Sequence, residues 1–281
     1  MDIQLIIPNI TFVVFTFNEA VRLPGVIKNF RKYGRILVVD NFSTDETVAI
    51  ARAAGCEVLM NKNAGWVEDF ETMEKVKAAV QTPWIYWAFA DEIISQDVLT
   101  EIKQTLEADR FDVISIIRKN YFYGQFCHEI AATYQIKAFK KSAIDFRDNT
   151  IHNFGKVLVQ QNRVFRMASD KYIHHFISNT AASYLETINR YTDIEAASKS
   201  SKELQKPIFY YLLLPIKTLW QDFFQRGGRQ TGLAGISLSV MMMTYSLIRA
   251  LKGYEVRSGK DAENIREANA QIALHLLKSF P

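Results

Sequence analysis

Acidic side chains stand at the ends of two apolar runs, and that placement is the first chemical signal in this sequence. Ile36-Leu37-Val38-Val39 stops at Asp40-Asn41, and Trp84 to Ala90 (WIYWAFA) stops at Asp91-Glu92. A third apolar run, Thr11 to Thr16 (TFVVFT), stops at Phe17-Asn18-Glu19. A carboxylate at the mouth of a buried strand loses hydration unless a cation, a hydroxyl or an amide donor meets it. The three ends are therefore expected to share one polar ligand. Neither G-x-G-x-x-G after the first run nor G-x-x-x-x-G-K-[ST] occurs, so the glycine cradles of dinucleotide and triphosphate sites are missing. A nucleotide bound here would be gripped by side chains and a metal ion.

The elements that would position these groups read as an alternation. Leu23, Val26, Ile27 and Phe30 have helical spacing and predict a helix from Leu23 to Tyr33, with Pro24 in its first turn and Gly34 at its stop. After the Ile36–Val39 strand, Ser43 or Thr44 is expected to cap a helix carrying Asp45 and Glu46 in its first turn, and Gly55 to end it. Asp45 is expected to serve the turn or cap and not a ligand. Strands at Glu57–Met60, Trp84–Ala90 and Asp112–Ile117 alternate with helices at Phe70–Val80 and Gln96–Ala108. Short connections between alternating elements predict an α/β fold with a parallel, doubly wound sheet. Ligands of such sheets lie outside the carboxyl ends of the strands, where Thr16 to Glu19, Asp40-Asn41 and Asp91-Glu92 should converge.

These segments resemble glycosyltransferase family 2. FTFNEA (Phe15–Ala20) is similar to the family's T-x-N-E opening, VVDNFSTDET to its VVDxxSTDxT segment, and WAFADE (Trp87–Glu92) to its acidic metal motif. KNYFYG (Lys119–Gly124), YQIKAFKK (Tyr134–Lys141), TIHNFG, NRYTDIEAA (Asn189–Ala197) and LLPIKTLWQDFFQRGG (Leu213–Gly228) resemble its lipopolysaccharide-core glucosyltransferase-like branch. The resemblance implies a GT-A (Rossmann-like) fold, a nucleotide-sugar donor, inverting transfer, and a glycan or lipid-linked acceptor. It gives Thr16, Asn18, Glu19 and Asn41 to the nucleotide-sugar pocket, Asp40 to the base or ribose, and Asp91 to a divalent cation (Mn or Mg) on the donor diphosphate. Carboxylate and phosphate oxygens suit such a cation, which neutralises charge on a leaving diphosphate.

The chain departs from the family's pattern at three acidic positions: Phe89 replaces the first metal-motif acid, Thr133 stands in ATYQ, and Asn153 follows His152. A second reading therefore stands beside the enzyme, that of a catalytically silent member acting as a binding or scaffold subunit of a glycan-synthesis complex. A nucleotidyltransferase fits less well, because Phe17-Asn18-Glu19 stands where its glycine-rich basic loop would be. Inverting transfer needs a base for the acceptor hydroxyl. Glu129 and His152 are the leading candidates, with His128 and Glu92 behind them, whereas the His174-His175 pair is expected to serve packing. Arg118, Lys119, Arg163 and Arg166 are candidate diphosphate cations.

The totals are consistent with this reading. A chain of 281 residues, 48% hydrophobic and 23% charged, holds one large domain or one domain plus an appendage. The division is expected as 1–200 for the transferase domain and 201–281 for a helical region. A net charge of +4 suits an anionic substrate or membrane surface, and the absence of a compact Lys/Arg stripe argues against nucleic acid. Cys56 and Cys127 lie far apart, which reads as a reducing compartment, and MDIQLIIPNI has no basic n-region of a secretory signal. Ala181 to Lys199 has a helical pattern, and the polar stretch Lys199–Lys206 reads as a linker. Pro207–Phe224 is aromatic and edged by Lys217, Arg226 and Arg229, as suits a helix in a membrane interface. Gly232–Ala250 is apolar but punctuated by Ser237, Ser239, Thr244 and Ser246, so a monotopic, packed or oligomerising helix competes with a span. Together these place the protein at the cytoplasmic face of the cell membrane, peripheral or monotopic.

Overall fold

A computed structural model describes residues 5–62, 69–147, 154–177, 180–197 and 208–278. The chain forms two compact units, Met1–Ile177 and Ser178–Pro281. The boundary falls before the helix Ala181–Ala197 and not at residue 200, because that helix packs on the long helix of the second unit. Hydrophobic periodicity alone could not say which neighbour it would choose. The expected linker Lys199–Lys206 and the candidate base His152 lie outside the described residues.

The first unit begins as expected: β1 (Ile10–Thr16), α1 (Leu23–Phe30), β2 (Arg35–Asp40), α2 (Thr47–Ala53), β3 (Glu57–Met60), α3 (Phe70–Ala79) and β4 (Trp84–Phe89). Then follow β5 (Glu92–Ile94), α4 (Gln96–Glu107), β6 (Val113–Phe122), β7 (Gln125–Phe126), β8 (Thr133–Lys140), β9 (Ile144–Asp145), β10 (Lys156–Val157), β11 (Val164–Arg166) and β12 (Tyr172–Ile177). The main sheet has the order β3-β2-β1-β4-β8-β6-β12-β5. The first four strands pair in parallel. β8 is inserted antiparallel between β4 and β6, and β12 runs parallel to β6. The sheet is thus mixed but mostly parallel, and β1, β2, β4, β6 and β12 all end on one edge.

Alternation along each strand sends side chains to two cores. Phe12, Val14, Ile36, Val38, Tyr86 and Ala88 pack against α1 and α4, while Val13, Leu37, Val39, Ile85 and Trp87 pack against α3 and Phe146. Strands covered on both faces read as unbroken apolar runs, which is why they were legible. Two local expectations change. Gly34 does not stop α1 by a left-handed turn; a Cβ there would lie 2.7 Å from the Ile10 carbonyl, so glycine is needed for close passage into β2. α2 starts at Thr47, with Glu46 at its cap and no side-chain cap bond, because Ser43 and Thr44 bond to groups on β1, β2 and their loops instead.

The second unit contains α5 (Ala181–Ala197), α6 (Ile208–Trp220), α7 (Leu233–Arg257) and α8 (Ala262–Leu277). α7 packs on both α5 and α6. Polar clamps run along it: the Tyr245 hydroxyl donates to Glu195, and Lys252 lies 2.7 Å from Asp193. α7 is long and apolar enough to cross a membrane. On α6, Phe209, Leu212, Leu213, Ile216 and Trp220 form one exposed stripe at helical spacing.

Candidate functional site

The register sets the site. Thr16 stands opposite Asp40, and Phe15 opposite Phe89, so the ends of β1, β2 and β4 lie side by side. Asp40 is fully buried. Its Oδ2 accepts from Thr16 Oγ1 at 2.8 Å and from Ser43 Oγ at 2.6 Å, and its Oδ1 accepts from the Ser43 amide at 2.7 Å. Asp40 therefore holds the loop after β2.

A second set of bonds clasps this loop to the one after β1. The Asn18 amide donates to Ser43 Oγ at 2.8 Å, and Asn18 Oδ1 accepts from the Thr44 amide at 2.8 Å. The Glu19 amide donates to Thr47 Oγ1 at 2.7 Å, and the Ala20 amide to Asp45 Oδ2 at 3.1 Å. Asn18 has φ 56°, a left-handed conformation that asparagine tolerates, and this aims its amide across the gap. Asp45 thus serves the turn, as expected. The Glu19 carboxylate is engaged by Arg22 through Nε at 2.6 Å. Asn41 is half-buried beside the clasp, its amide donating to the Thr16 carbonyl at 2.9 Å.

At the end of β4 the two acids separate into different environments. Glu92 is buried, with Oε2 2.6 Å from the ammonium of buried Lys137 and Oε1 3.5 Å from Arg118 Nη1. This ion pair removes Glu92 from the candidate bases, because a carboxylate locked against a buried ammonium has no path to an acceptor hydroxyl. Phe89 lies over the same ammonium, 5.1 Å from ring centre to Nζ. Asp91 instead faces outward, its side chain 27% exposed and its Oδ2 3.2 Å from His175 Nε2. Burial would raise its pKa, but His175, Arg22 and Arg118 outweigh that and hold it down at about 2.

The tautomer of His175 follows from its other neighbour. Asn120, buried on β6, donates from Nδ2 to the Ile130 carbonyl at 2.9 Å, which fixes the orientation of the amide. Its Oδ1 then faces His175 Nδ1 at 2.7 Å and can only accept. Nδ1 thus carries a proton, and Nε2 faces the Asp91 carboxylate, donating to it when the ring is protonated and presenting a lone pair when it is neutral. Two lone pairs at 3.2 Å repel unless a proton or a cation lies between them. A histidine whose far nitrogen donates to a carbonyl oxygen is the usual arrangement of a metal ligand. Octahedral Mg²⁺ with ligands at about 2.1 Å separates adjacent donors by about 3 Å, close to the spacing found here. Asp91 and His175 therefore fit a divalent cation as a two-ligand half-site. Among the described residues no cluster of three or more His, Cys, Asp or Glu side chains forms, so substrate oxygens and water would supply the remaining positions.

His175 was expected to pack, and that reading is corrected: its ring meets Asp91 at the sheet edge. Neither composition nor spacing distinguishes His174 from His175. Only the pairing of β12 with β6 and β5 sets His175 opposite both Asn120 and Glu92. Asn120 and Lys137 are likewise invisible to local patterns, since each lies far in sequence from the group it serves. Of the candidate bases, Glu129 pairs with Lys119 at 2.6 Å, on the face of β6 opposite Arg118 and Asn120. His128 is half-buried against the Phe126 ring, as expected of a stacked imidazole. Arg163 is bound to Asp112 at the start of β6, the far end from the site, and Arg166 stacks on Tyr134, so neither is a diphosphate cation here. Arg118 is the basic candidate that the structure brings to Asp91. Cys56 is half-buried and Cys127 buried, both as free thiols.

Residues 11–173 match the family model described as Glycosyl transferase family 2. An uncharacterized glycosyltransferase of Rickettsia bellii is 29% identical over 110 residues, covering 39% of this chain and 36% of that protein. The chain thus spans about a third of the length of that curated relative. Among solved structures, S. aureus TarS 1-349 in complex with UDP-GlcNAc is similar with a TM-score of 0.46 and 12% identity, over 89% of this chain and 92% of that one. The mannosyltransferase PcManGT from Pyrobaculum calidifontis, in complex with GDP-Man and Mn2+, is similar with a TM-score of 0.48 and 14% identity, over 88% and 87%.

Proposed function

Because this chain belongs to glycosyltransferase family 2, we propose that it is an inverting hexosyltransferase. In this reading it moves a hexose from a nucleoside-diphosphate sugar, UDP-linked, to a lipid-linked or polysaccharide acceptor in cell-envelope glycan synthesis. The observation that carries the reading is the Asp91–His175 pair at the end of β4, with His175 Nε2 turned on the carboxylate at 3.2 Å. Asp40, Thr16 and Ser43 hold the loops after β1 and β2 in register, and Asn18, Glu19 and Asn41 would border a nucleotide bound beside that clasp. Asp91 and His175 would hold Mn²⁺ or Mg²⁺, which supplies charge neutralisation at the departing diphosphate. Arg118 and Arg22 add positive charge beside Asp91. Glu129 or His152 would be the base that removes the proton of the acceptor hydroxyl. The exposed α6 stripe, edged by Lys217, Arg226 and Arg229, supports seating at the cytoplasmic membrane face.

Calorimetry with UDP and Mn²⁺, followed by nucleotide release from a panel of nucleotide sugars, tests the donor assignment. Binding should be lost in Asp91→Asn and His175→Ala. Undiminished binding in both variants sinks the site. Phe89 in place of an acid favours one second reading, a member that binds donor without transferring it, and any donor hydrolysis or transfer by purified protein excludes that reading.

A further inference from the structure

β6 and β12 carry a second feature, on the face opposite Asn120 and His175. Tyr121, Phe126, Tyr172, His174 and Phe176 form a continuous strip of rings. Centroid separations are 5.3 Å for Tyr121–Phe126, 5.8 Å for Phe126–Tyr172, 4.7 Å for Tyr172–His174 and 4.8 Å for Tyr121–Phe176. None of the five belongs to either hydrophobic core and none is fully buried; Phe176 is 41% exposed. A contiguous strip of partly exposed rings outside the core is available to a ligand.

We propose that this strip is the acceptor subsite, a stacking platform for a pyranose ring of the acceptor glycan, a role that rests on the transferase reading. Three observations select that occupant. The strip is wholly aromatic, and an aromatic face is negative where the C–H bonds of a sugar ring are positive. Its rings are fixed in place: the Tyr121 hydroxyl and His174 Nδ1 are 2.8 Å apart. Its border supplies hydrogen-bonding charge, since Lys119 lies 4.8 Å over the Tyr172 ring and pairs with Glu129, whose side chain is 50% exposed. An ammonium and a carboxylate side by side can bind adjacent sugar hydroxyls. The strip also begins at the donor side, because the Phe176 amide donates to the Asp91 carbonyl at 2.8 Å. His174 and His175, consecutive on β12, thus turn one ring to each side of the same sheet edge, which gives Glu129 a place on the acceptor side.

Saturation-transfer NMR on the full chain with UDP and Mg²⁺ tests the assignment, using methyl β-D-glucopyranoside, methyl β-D-galactopyranoside and methyl α-D-mannopyranoside as probes. At least one should show saturated ring C–H protons on the wild type. Its signal should fall about fivefold in Phe176→Leu and Tyr121→Leu and persist in Phe176→Trp, which keeps a ring. No signal from any probe on the wild type, or an unchanged signal in Phe176→Leu, overturns the proposal. So does a Phe176→Leu variant that merely shifts the oligomeric state on size exclusion, which would assign the strip to a second copy of the chain. UDP affinity measured on the same samples separates the readings. Wild type that fails to bind UDP counts against the donor site, whereas intact UDP binding with a platform-independent sugar signal counts against the platform alone.

Discussion

Asn120→Ala removes one buried amide that does two jobs. The side chain donates to the Ile130 carbonyl at 2.9 Å and accepts from His175 Nδ1 at 2.7 Å. Two net hydrogen bonds at roughly 0.5–1.5 kcal/mol each predict a loss of about 1–3 kcal/mol in stability. The functional effect is separate. Without Asn120 nothing holds the proton on Nδ1 or the ring in line with Asp91, and loss of such a supporting bond weakens metal affinity about 10–100-fold, or about 1.4–2.8 kcal/mol. Mn²⁺ titration followed by electron paramagnetic resonance in the presence of UDP, paired with urea unfolding, measures the two effects independently. Asn120→Asp retains the acceptor for Nδ1–H but loses the donor to Ile130, so it should lose stability while keeping most of the metal affinity. In a His175→Ala background the Asn120→Ala substitution should no longer change Mn²⁺ affinity, because residues acting through one group are not additive. Equal Mn²⁺ affinity in wild type and Asn120→Ala, or additive losses in the double variant, would refute the reasoning.

Further outcomes follow from single features. Lys137→Met leaves Glu92 charged and buried and should cost about 3–5 kcal/mol in urea unfolding, partly recovered by adding Glu92→Gln; a loss under about 1 kcal/mol would mean that the pair is not buried as described. Asp112 is held down at about 2 by Arg163 first and Lys140 after it, despite a smaller opposing effect of burial. Its folded pKa lies below the unfolded value near 3.9, so its contribution is present above pH 4 and lost as pH falls through about 2. That shift corresponds to about 2.6 kcal/mol, reduced to about 1 by solvent screening, and an Asp112→Asn variant should show a correspondingly flatter stability profile between pH 5 and 2. Serine at Leu212, Leu213 and Ile216 together should cut co-sedimentation with phosphatidylglycerol vesicles about tenfold or more, and unchanged sedimentation removes the membrane reading.

The fold was legible where strands are covered on both faces. β1, β2 and β4 each bury a continuous apolar run, so their ends, and the acids there, could be read directly from composition. The half-exposed strands β8 and β12 mix apolar and polar residues and carry no such signal, and their insertion between and beside parallel strands depends on pairing partners far along the chain. The donor-side carboxylates were therefore found early, whereas the residues that complete them were not.

By itself the sequence determined that Asp40 and Asp91 stand at the ends of buried strands, because a buried run that stops at an acid has few other meanings. Only the tertiary structure decided what each acid meets. Asp40 is fully buried and fastens a loop, while Asp91, one residue before the locked Glu92, faces His175. The physical reason is register: His175 reaches Asp91 from 84 residues away and Asn120 reaches His175 from 55, and those separations are set by strand pairing, to which no local pattern of residues responds.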